Sequence, residues 1–142
     1  MTDNDPNASI AAAQAVLDAV PFHDQVLRPR VVAVDPRAGS LDVALDPNPA
    51  LRRSREDGAL HGGVVASLID LAAYNAVALH KSAATPTLDL RIDYLRPAVA
   101  PLVARARMVR AGRRTATVDV TVVDAAGVTV ALGRGSFMIL EG

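Results

Sequence analysis

The feature that most constrains the fold of this chain is an almost wholly apolar helix, which begins after two adjacent glycines and contains one acid. From Val64 to Leu79 nearly every side chain is Ala, Val, Leu or Ile, so we predict a helix over about residues 63–81 that is buried almost all round. The acid is Asp70, and a carboxylate in such a helix is costly unless it is hydrogen-bonded, paired or used. The free amides at a helix start offer a site for an oxyanion or a carbonyl oxygen. One carboxylate and one oxyanion site on the same helix suggest acyl chemistry.

Composition bounds the class of the protein. The chain has 142 residues, 51% of them hydrophobic, which indicates one domain with a single core. Lys and Arg balance Asp and Glu at 15 each, so the overall charge does not favour nucleic acid or an anionic membrane as partner. The absence of cysteine excludes disulfides, thiolate nucleophiles and cysteine zinc sites. Because His23, His61 and His80 lack ligand spacing, we expect no metal site.

The N-terminus is interpreted as a disordered tail over residues 1–7, because it is polar, contains two acids and cannot be a signal peptide. Residues 8–142 are then a single domain. The longest apolar run is interrupted by Ser67, Asp70 and Asn75, which argues against a membrane span. We therefore expect a cytoplasmic protein without a membrane partner.

The order of the elements predicts an α+β protein. A first helix over residues 10–19, with Ser9 as its N-cap, precedes two short strands around a turn at residues 35–39. After the apolar helix the period changes to two. Four strands are predicted there, over residues 87–94, 102–109, 115–123 and 128–137. A meander of antiparallel strands after one helix predicts a sheet wrapped round that helix.

Polar residues recur along one face of the apolar helix. Gly63, Ser67, Asp70 and Tyr74 have helical spacing and form a narrow polar stripe. This stripe is a functional face in one interpretation. In the other, Asp70 is a buried polar group that is bonded to Ser67 or to a backbone amide and has no further role.

Gly62 and Asp70 are too far apart to act on the same carbonyl group. Eight residues of helix span about 12 Å at 1.5 Å per residue. A scissile carbonyl group must lie about 3 Å from both its oxyanion donor and its attacking group. Two antiparallel copies of the helix, related by a twofold axis, can bring Gly62 of one copy beside Asp70 of the other. The spacing therefore predicts a homodimer with shared sites.

Two motifs resemble those of a known family. One is His61-Gly62-Gly63 followed by Asp70, and the other is the strand end at residues 89–98, DLRIDYLRPA. Together with RAGRR at residues 110–114 and GRGSF at residues 133–137, they resemble the hotdog-fold acyl-CoA thioesterases of the phenylacetate-degradation (PaaI-like) branch. The resemblance covers about residues 20–140. It implies the hotdog fold, an antiparallel sheet wrapped round one long central helix, here with an N-terminal helix.

The resemblance also implies an activity and roles for four residues. The activity is hydrolysis of an acyl-CoA thioester. In the family, the backbone amide at the position of Gly62 donates to the thioester carbonyl oxygen. Asp70, from the partner subunit, activates water or attacks the carbonyl carbon directly, and Thr87 helps to orient the water. His61 either shapes the turn or takes part in catalysis.

Basic residues provide the implied CoA site. Arg96, Arg110, Arg113 and Arg114 are predicted to cluster at the ends of adjacent strands. A solvated sheet rim is the alternative, but in the family these strand ends contact the nucleotide and pyrophosphate of CoA, and the guanidinium group suits phosphate. The residues implied for CoA contact are Tyr94, Arg96, Pro97, Arg110, Gly112, Arg113 and Arg114. CoA is then part of the substrate and no separate cofactor is implied. The implied partners are the acyl-CoA and a second copy of the chain, with a dimer of dimers as a further option.

One departure from the family pattern keeps other functions open. Relatives usually carry Asn or Gln six residues before the histidine, where this chain has Arg55. A non-catalytic acyl-CoA-binding or regulatory hotdog protein is therefore the second interpretation. A dehydratase acting on 3-hydroxyacyl thioesters is the third, but such enzymes show a proline-rich turn rather than His-Gly-Gly. The acyl pocket is expected to be apolar, beside Val65, Ile69 and Ala73, and to suit medium-chain or aromatic acyl groups.

Overall fold

Six antiparallel strands and one long helix make up most of the protein, in a computed structural model that describes residues 6–81 and 85–140. The strands are β1 (Arg30–Asp35), β2 (Ser40–Leu45), β3 (Thr87–Tyr94), β4 (Leu102–Ala111), β5 (Thr115–Val123) and β6 (Thr129–Met138). They form one sheet in the order β1-β2-β4-β5-β6-β3. The helices are α1 (Pro6–Asp18) and α2 (Gly62–Lys81). The predicted α+β architecture, with a sheet round a central helix and an N-terminal helix, is confirmed.

The core lies between α2 and the inner face of the sheet. Along β5, Ala116, Val118, Val120 and Val122 are buried while the residues between them are more exposed, as expected for a strand with one covered face. Among the described helices only α2 is long and apolar enough, by length and composition, to cross a membrane. Half of that stretch is buried inside the protein. Its hydrophobicity therefore matches its position in the core.

A glycine in β6 lets α2 lie close to this strand. A Cβ atom at Gly133 would stand 2.5 Å from Cγ2 of Ile69, a distance at which something must move. Glycine in a strand often marks such a close approach. Asp70 follows Ile69 on α2, so the close approach lies next to the carboxylate in the chain.

α1 is attached to the rest of the domain through two amide side chains. Gln14 accepts a hydrogen bond from the Val31 N–H at 2.8 Å and donates to the Pro29 carbonyl oxygen at 2.9 Å. Asn75, which is fully buried on α2, donates to the Ala13 carbonyl oxygen at 3.0 Å. α1 thus covers β1 and one side of α2.

Two local predictions differ from the structure near the N-terminus. α1 begins at Pro6 rather than after Ser9, because proline suits the first turn of a helix. Residues 6 and 7 are therefore helical and not part of a tail, while residues 1–5 lie outside the described part of the chain. A π-helical turn over His23–Leu27 was not predicted. It ends at Arg28 in the left-handed backbone region, with φ of 51°.

Candidate active site

His61 caps the first turn of α2. Its Nδ1 accepts a hydrogen bond from the Gly63 N–H at 2.9 Å, and its carbonyl oxygen accepts one from the Val64 N–H at 2.9 Å. A ring nitrogen that accepts in this way carries no proton of its own. Nδ1 is therefore already used in capping, and the geometry matches the turn-shaping role among the two predicted for His61.

The N–H of Gly62 is left free at this turn. No hydrogen-bond acceptor faces it within residues 6–81 and 85–140. Gly62 is the first residue of α2 and is exposed, so its N–H is one of the unsatisfied donors at the positive end of the helix dipole. Such an amide can donate to a carbonyl oxygen on which negative charge develops.

The two glycines of the motif differ in how much room a side chain would have at their positions. A Cβ atom at Gly63 would stand 3.0 Å from Nδ1 of His61 and would press on the capping ring. A Cβ atom at Gly62 would meet only the Tyr94 ring, at an ordinary contact distance of 3.6 Å. Neither glycine has a positive φ. The packing within one protomer therefore tolerates a side chain at Gly62, and the bare Cα there leaves room for something that approaches from outside.

Tyr94 supports the same turn from β3. Its hydroxyl donates a hydrogen bond to the Gly62 carbonyl oxygen at 2.8 Å. The ring remains half-exposed. The predicted contact of Tyr94 with CoA stays a prediction, but its hydroxyl already has a partner in the first turn of α2.

Asp70 is held by Thr87. Its Oδ1 accepts a hydrogen bond from the Thr87 hydroxyl at 2.8 Å. Ser67, the alternative partner considered from the sequence, instead donates to the Gly63 carbonyl oxygen at 2.8 Å. Oδ2 of Asp70 accepts no hydrogen bond from the described part of the chain, and the residue is half-buried. A carboxylate with one anchored and one free oxygen can remove a proton from a bound water.

The free amide and the carboxylate lie at opposite ends of β3. Thr87, the first residue of this strand, contacts Asp70, whereas Tyr94, the last, contacts Gly62. Seven residues of strand span about 23 Å, and eight residues of α2 span about 12 Å. One protomer therefore presents the two groups at separate places.

The predicted cluster of four arginines forms only in part within one protomer, because Arg96 lies apart from the other three. Arg96 follows β3, and its guanidinium donates to a backbone carbonyl oxygen at the start of β6. Arg113 and Arg114 precede β5 and lie beside the last residues of β6, and Arg110 lies at that same end of the sheet. Because β6 has ten residues, about 30 Å separates its two ends. The sequence order of strand ends does not reveal which ends meet until the pairing is known.

A cavity lies beside each of these strand ends. The cavity at Gly62 has a volume of about 380 Å³. Its walls include Arg53, Leu60, Val65, Tyr94, Arg96, Pro97, Ala98, Val130 and Ala131. The cavity at Arg113 and Arg114 has a volume of about 740 Å³ and extends along Met138–Leu140. Of the three residues predicted beside the acyl pocket, only Val65 lines the first cavity. Ile69 and Ala73 lie in the core.

His23, which had no role in the sequence analysis, interacts with Asp70. Its Nδ1 is buried without a hydrogen-bond partner among the described residues. Burial lowers the pKa of His23, and the Asp70 carboxylate and the Leu17 carbonyl group oppose this effect in part. His23 was missed because it lies on an unpredicted π-helical turn, far from Asp70 in sequence.

The lowered pKa of His23 predicts a loss of stability in mild acid. The unfolded chain takes up this proton near pH 6.5 and the folded chain only at lower pH, so folding becomes less favourable as pH falls below 6.5. His23→Gln should therefore flatten the decline of Tm between about pH 6.5 and 5, measured by thermal denaturation. His80→Gln, which removes an exposed histidine, should keep the slope of the parent. Equal slopes for the parent and His23→Gln would contradict the prediction.

Two further features bear on the function. Arg55, at the position where relatives usually carry an amide side chain, is exposed. No group of three or more His, Cys, Asp or Glu side chains in the described ranges could hold a metal ion.

The comparisons with known proteins point to one family. The family model described as the thioesterase superfamily matches residues 57–131, which include the capped turn, α2 and β3. A Halobacterium salinarum protein that is assigned to the esterases by name only is 43% identical over 95 residues. This match covers 60% of the chain and 63% of the relative, so the chain spans less than two thirds of that protein's length.

Solved structures share the fold over nearly the whole chain. A Bordetella protein of the thioesterase superfamily has a TM-score of 0.83 and 30% identity, covering 94% of this chain and 99% of its own. The Escherichia coli PaaI protein from the phenylacetic acid degradation operon has a TM-score of 0.78 and 27% identity, covering 95% of this chain and 94% of its own. The predicted hotdog fold is thereby confirmed.

Proposed function

The chain belongs to the thioesterase superfamily, and we propose that it hydrolyses acyl-CoA thioesters to a free acid and CoA at active sites shared by two protomers. Family membership supports thioester hydrolysis in general and agrees with the resemblance to the PaaI-like branch. The observation that carries the finer proposal is the pairing of chemical properties in Gly62 and Asp70. One offers a free amide at a helix start, and the other a carboxylate with one free oxygen.

The proposed reaction uses Asp70 as the base. Its free oxygen removes a proton from a water molecule, and the water oxygen attacks the thioester carbonyl carbon. The N–H of Gly62 stabilises the negative charge that develops on the carbonyl oxygen. The carbon–sulfur bond then breaks, and the proton on Asp70 passes to the CoA thiolate. Direct attack by Asp70 on the carbonyl carbon, followed by hydrolysis of the resulting anhydride, is an alternative mechanism at the same site.

The exposed edge of the sheet supports the dimer. β3 is an edge strand on which six of eight side chains are exposed, and an open edge of this kind is normally covered. Two β3 strands that pair antiparallel about a twofold axis at their centre bring Thr87 of one protomer beside Tyr94 of the partner. That pairing would also bring Asp70 towards Gly62 of the partner subunit. The two groups could then act on one carbonyl group, although about 12 Å of helix separates them within one chain.

The same pairing would bring arginines from the two protomers close together. Arg113 and Arg114 share the Thr87 end of the sheet with Asp70, and Arg96 shares the Tyr94 end with Gly62. Across a twofold axis, Arg96 of the partner subunit approaches the other two. Guanidinium groups from two protomers then face one anionic ligand, as the pyrophosphate and nucleotide of CoA require.

The test is a hydrolysis screen over short, medium, long and aromatic acyl-CoAs, with release of free thiol as the readout. We expect catalytic turnover of at least one class. A protein that binds acyl-CoA by calorimetry but releases no thiol from any member would contradict the proposal. That result would favour a non-catalytic acyl-CoA-binding protein, the second candidate, for which the exposed Arg55 in place of an amide is the supporting observation.

The proposed CoA site predicts a selective effect on KM. Replacing Arg113 and Arg114 by Ala should raise KM for CoA thioesters at least about tenfold, because charge-assisted hydrogen bonds to phosphate are lost. The KM for N-acetylcysteamine thioesters, which lack the nucleotide, should change little. Replacing Arg37 and Arg105, two exposed arginines on a turn and in β4, serves as the matched control. Equal changes in KM for both substrate types would show that these arginines do not contact CoA.

A further inference from the structure

The peptide group between Gly62 and Gly63 is held at both of its polar ends. Its carbonyl oxygen accepts a hydrogen bond from the Tyr94 hydroxyl at 2.8 Å. Its N–H donates to Nδ1 of His61 at 2.9 Å. The preceding peptide group is also held, because the His61 carbonyl oxygen accepts from the Val64 N–H. The Gly62 N–H is thus the one polar backbone group of this turn, among those described, that remains unused.

Gly62 needs such support because of its own flexibility. Glycine has no Cβ atom and populates more backbone conformations than any other residue. A small rotation about Gly62 would swing its N–H away from the direction in which it now points. A donor that stabilises a developing oxyanion must be preorganised to within about 0.5 Å. Contacts that fix the adjoining peptide group therefore control how well the donor works.

Tyr94 is itself firmly anchored. It ends β3, and the next two backbone N–H groups, of Leu95 and Arg96, donate to the Val130 carbonyl oxygen at 2.9 and 3.2 Å. The Tyr94 backbone is thereby fixed to β6 on the sheet, and its ring lies against Gly62. A hydroxyl on this support can transmit the rigidity of the sheet to the start of α2.

We infer that the Tyr94 hydroxyl is a positioning group that fixes the direction of the Gly62 N–H for catalysis. This inference rests on the proposed function, since it gives Tyr94 a purpose only if Gly62 is the oxyanion donor. Tyr94 acts here through Gly62 of its own protomer and not through contact with CoA. The two roles predict different kinetics, because a positioning group affects the transition state and a CoA contact affects binding.

The first test is the substitution Tyr94→Phe, which keeps the ring contact and removes only the hydroxyl. We expect kcat to fall about tenfold, the rate equivalent of one hydrogen bond, with KM nearly unchanged. Ser40→Ala, which removes a hydroxyl in β2, a strand separated from β3 by three others in the sheet, should leave both constants as in the parent. An unchanged kcat, or a rise in KM alone, would overturn the inference.

The second test separates this inference from the proposed function. In a Gly62→Pro background the N–H no longer exists, so adding Tyr94→Phe should cause no further loss of kcat. An additional tenfold loss would show that Tyr94 acts through another group and would overturn the inference. The amide signal of Gly63 in heteronuclear NMR should also shift in Tyr94→Phe, without substrate. If Gly62→Pro itself hydrolyses as fast as the parent, the proposed donor is wrong and the inference falls with it.

Discussion

Asp70→Asn should lower kcat for the best thioester by at least about a hundredfold, within the usual range for loss of a general base. Asparagine keeps the size of the side chain, and its carbonyl oxygen can still accept the Thr87 hydrogen bond of 2.8 Å. It lacks the negative charge that removes a proton from water. Folding and binding of the CoA ester should therefore persist while catalysis is lost.

The matched control for this substitution is Asp18→Asn on α1. Asp18 is exposed and, like Asp70, has one carboxylate oxygen that accepts a side-chain hydrogen bond, here from Gln14. Its replacement should leave kcat unchanged. The Tm of both variants should equal that of the parent. Binding to Asp70→Asn can be measured by calorimetry with an intact thioester. If Asp70→Asn hydrolyses that thioester as fast as the parent, the carboxylate is structural and the acyl-CoA-binding interpretation takes its place.

The parts of the fold that were predicted well are those set by local pattern. α2 was predicted over residues 63–81 and extends over Gly62–Lys81, because a long apolar run without proline has few other solutions. β3 was predicted at its observed bounds from strict alternation. The turn before β2 was also predicted, and there Gly39 has φ of +63°, a conformation that glycine adopts at little cost.

The errors come from contacts between distant parts of the chain. Arg96 was wrongly included in the arginine cluster because strand order in the sheet departs from chain order, so that β3 pairs with β6 at the edge. No local rule indicates which strand ends coincide. The π-helical turn that carries His23 continues directly from the end of α1, and hydrophobic periodicity does not encode such a turn.

The candidate site was recovered in part. The motif identified Gly62 and Asp70, and the family resemblance implied Thr87. The structure brings Asp70 and Thr87 within hydrogen-bonding distance. The bond from Tyr94 to Gly62 was not predicted, since a strand-end tyrosine at 32 positions' distance gives no signal in composition or spacing. The sequence therefore predicted which residues belong to the site, but not which of them contact each other.

Gly62→Pro should lower kcat by about a hundredfold to a thousandfold, the usual cost of one lost oxyanion donor. Proline has no N–H, and it is favoured at the first position of a helix, which is where Gly62 lies in α2. Its Cβ atom would meet the Tyr94 ring at the ordinary contact distance of 3.6 Å. The variant should therefore fold, and the measured loss should report on the missing donor.

A mixed dimer decides whether this donor acts across the subunit interface. One protomer carries Gly62→Pro and the other Asp70→Asn, with two different affinity tags so that the heterodimer is purified alone. If the sites are shared, one site contains an intact Gly62 and an intact Asp70 from different protomers, and about half of the parental kcat per dimer returns. If each site lies within one protomer, both sites are defective and the heterodimer is as inactive as the two parent variants. Recovered activity can then arise only from Gly62 and Asp70 meeting across the interface, because neither variant chain holds both groups.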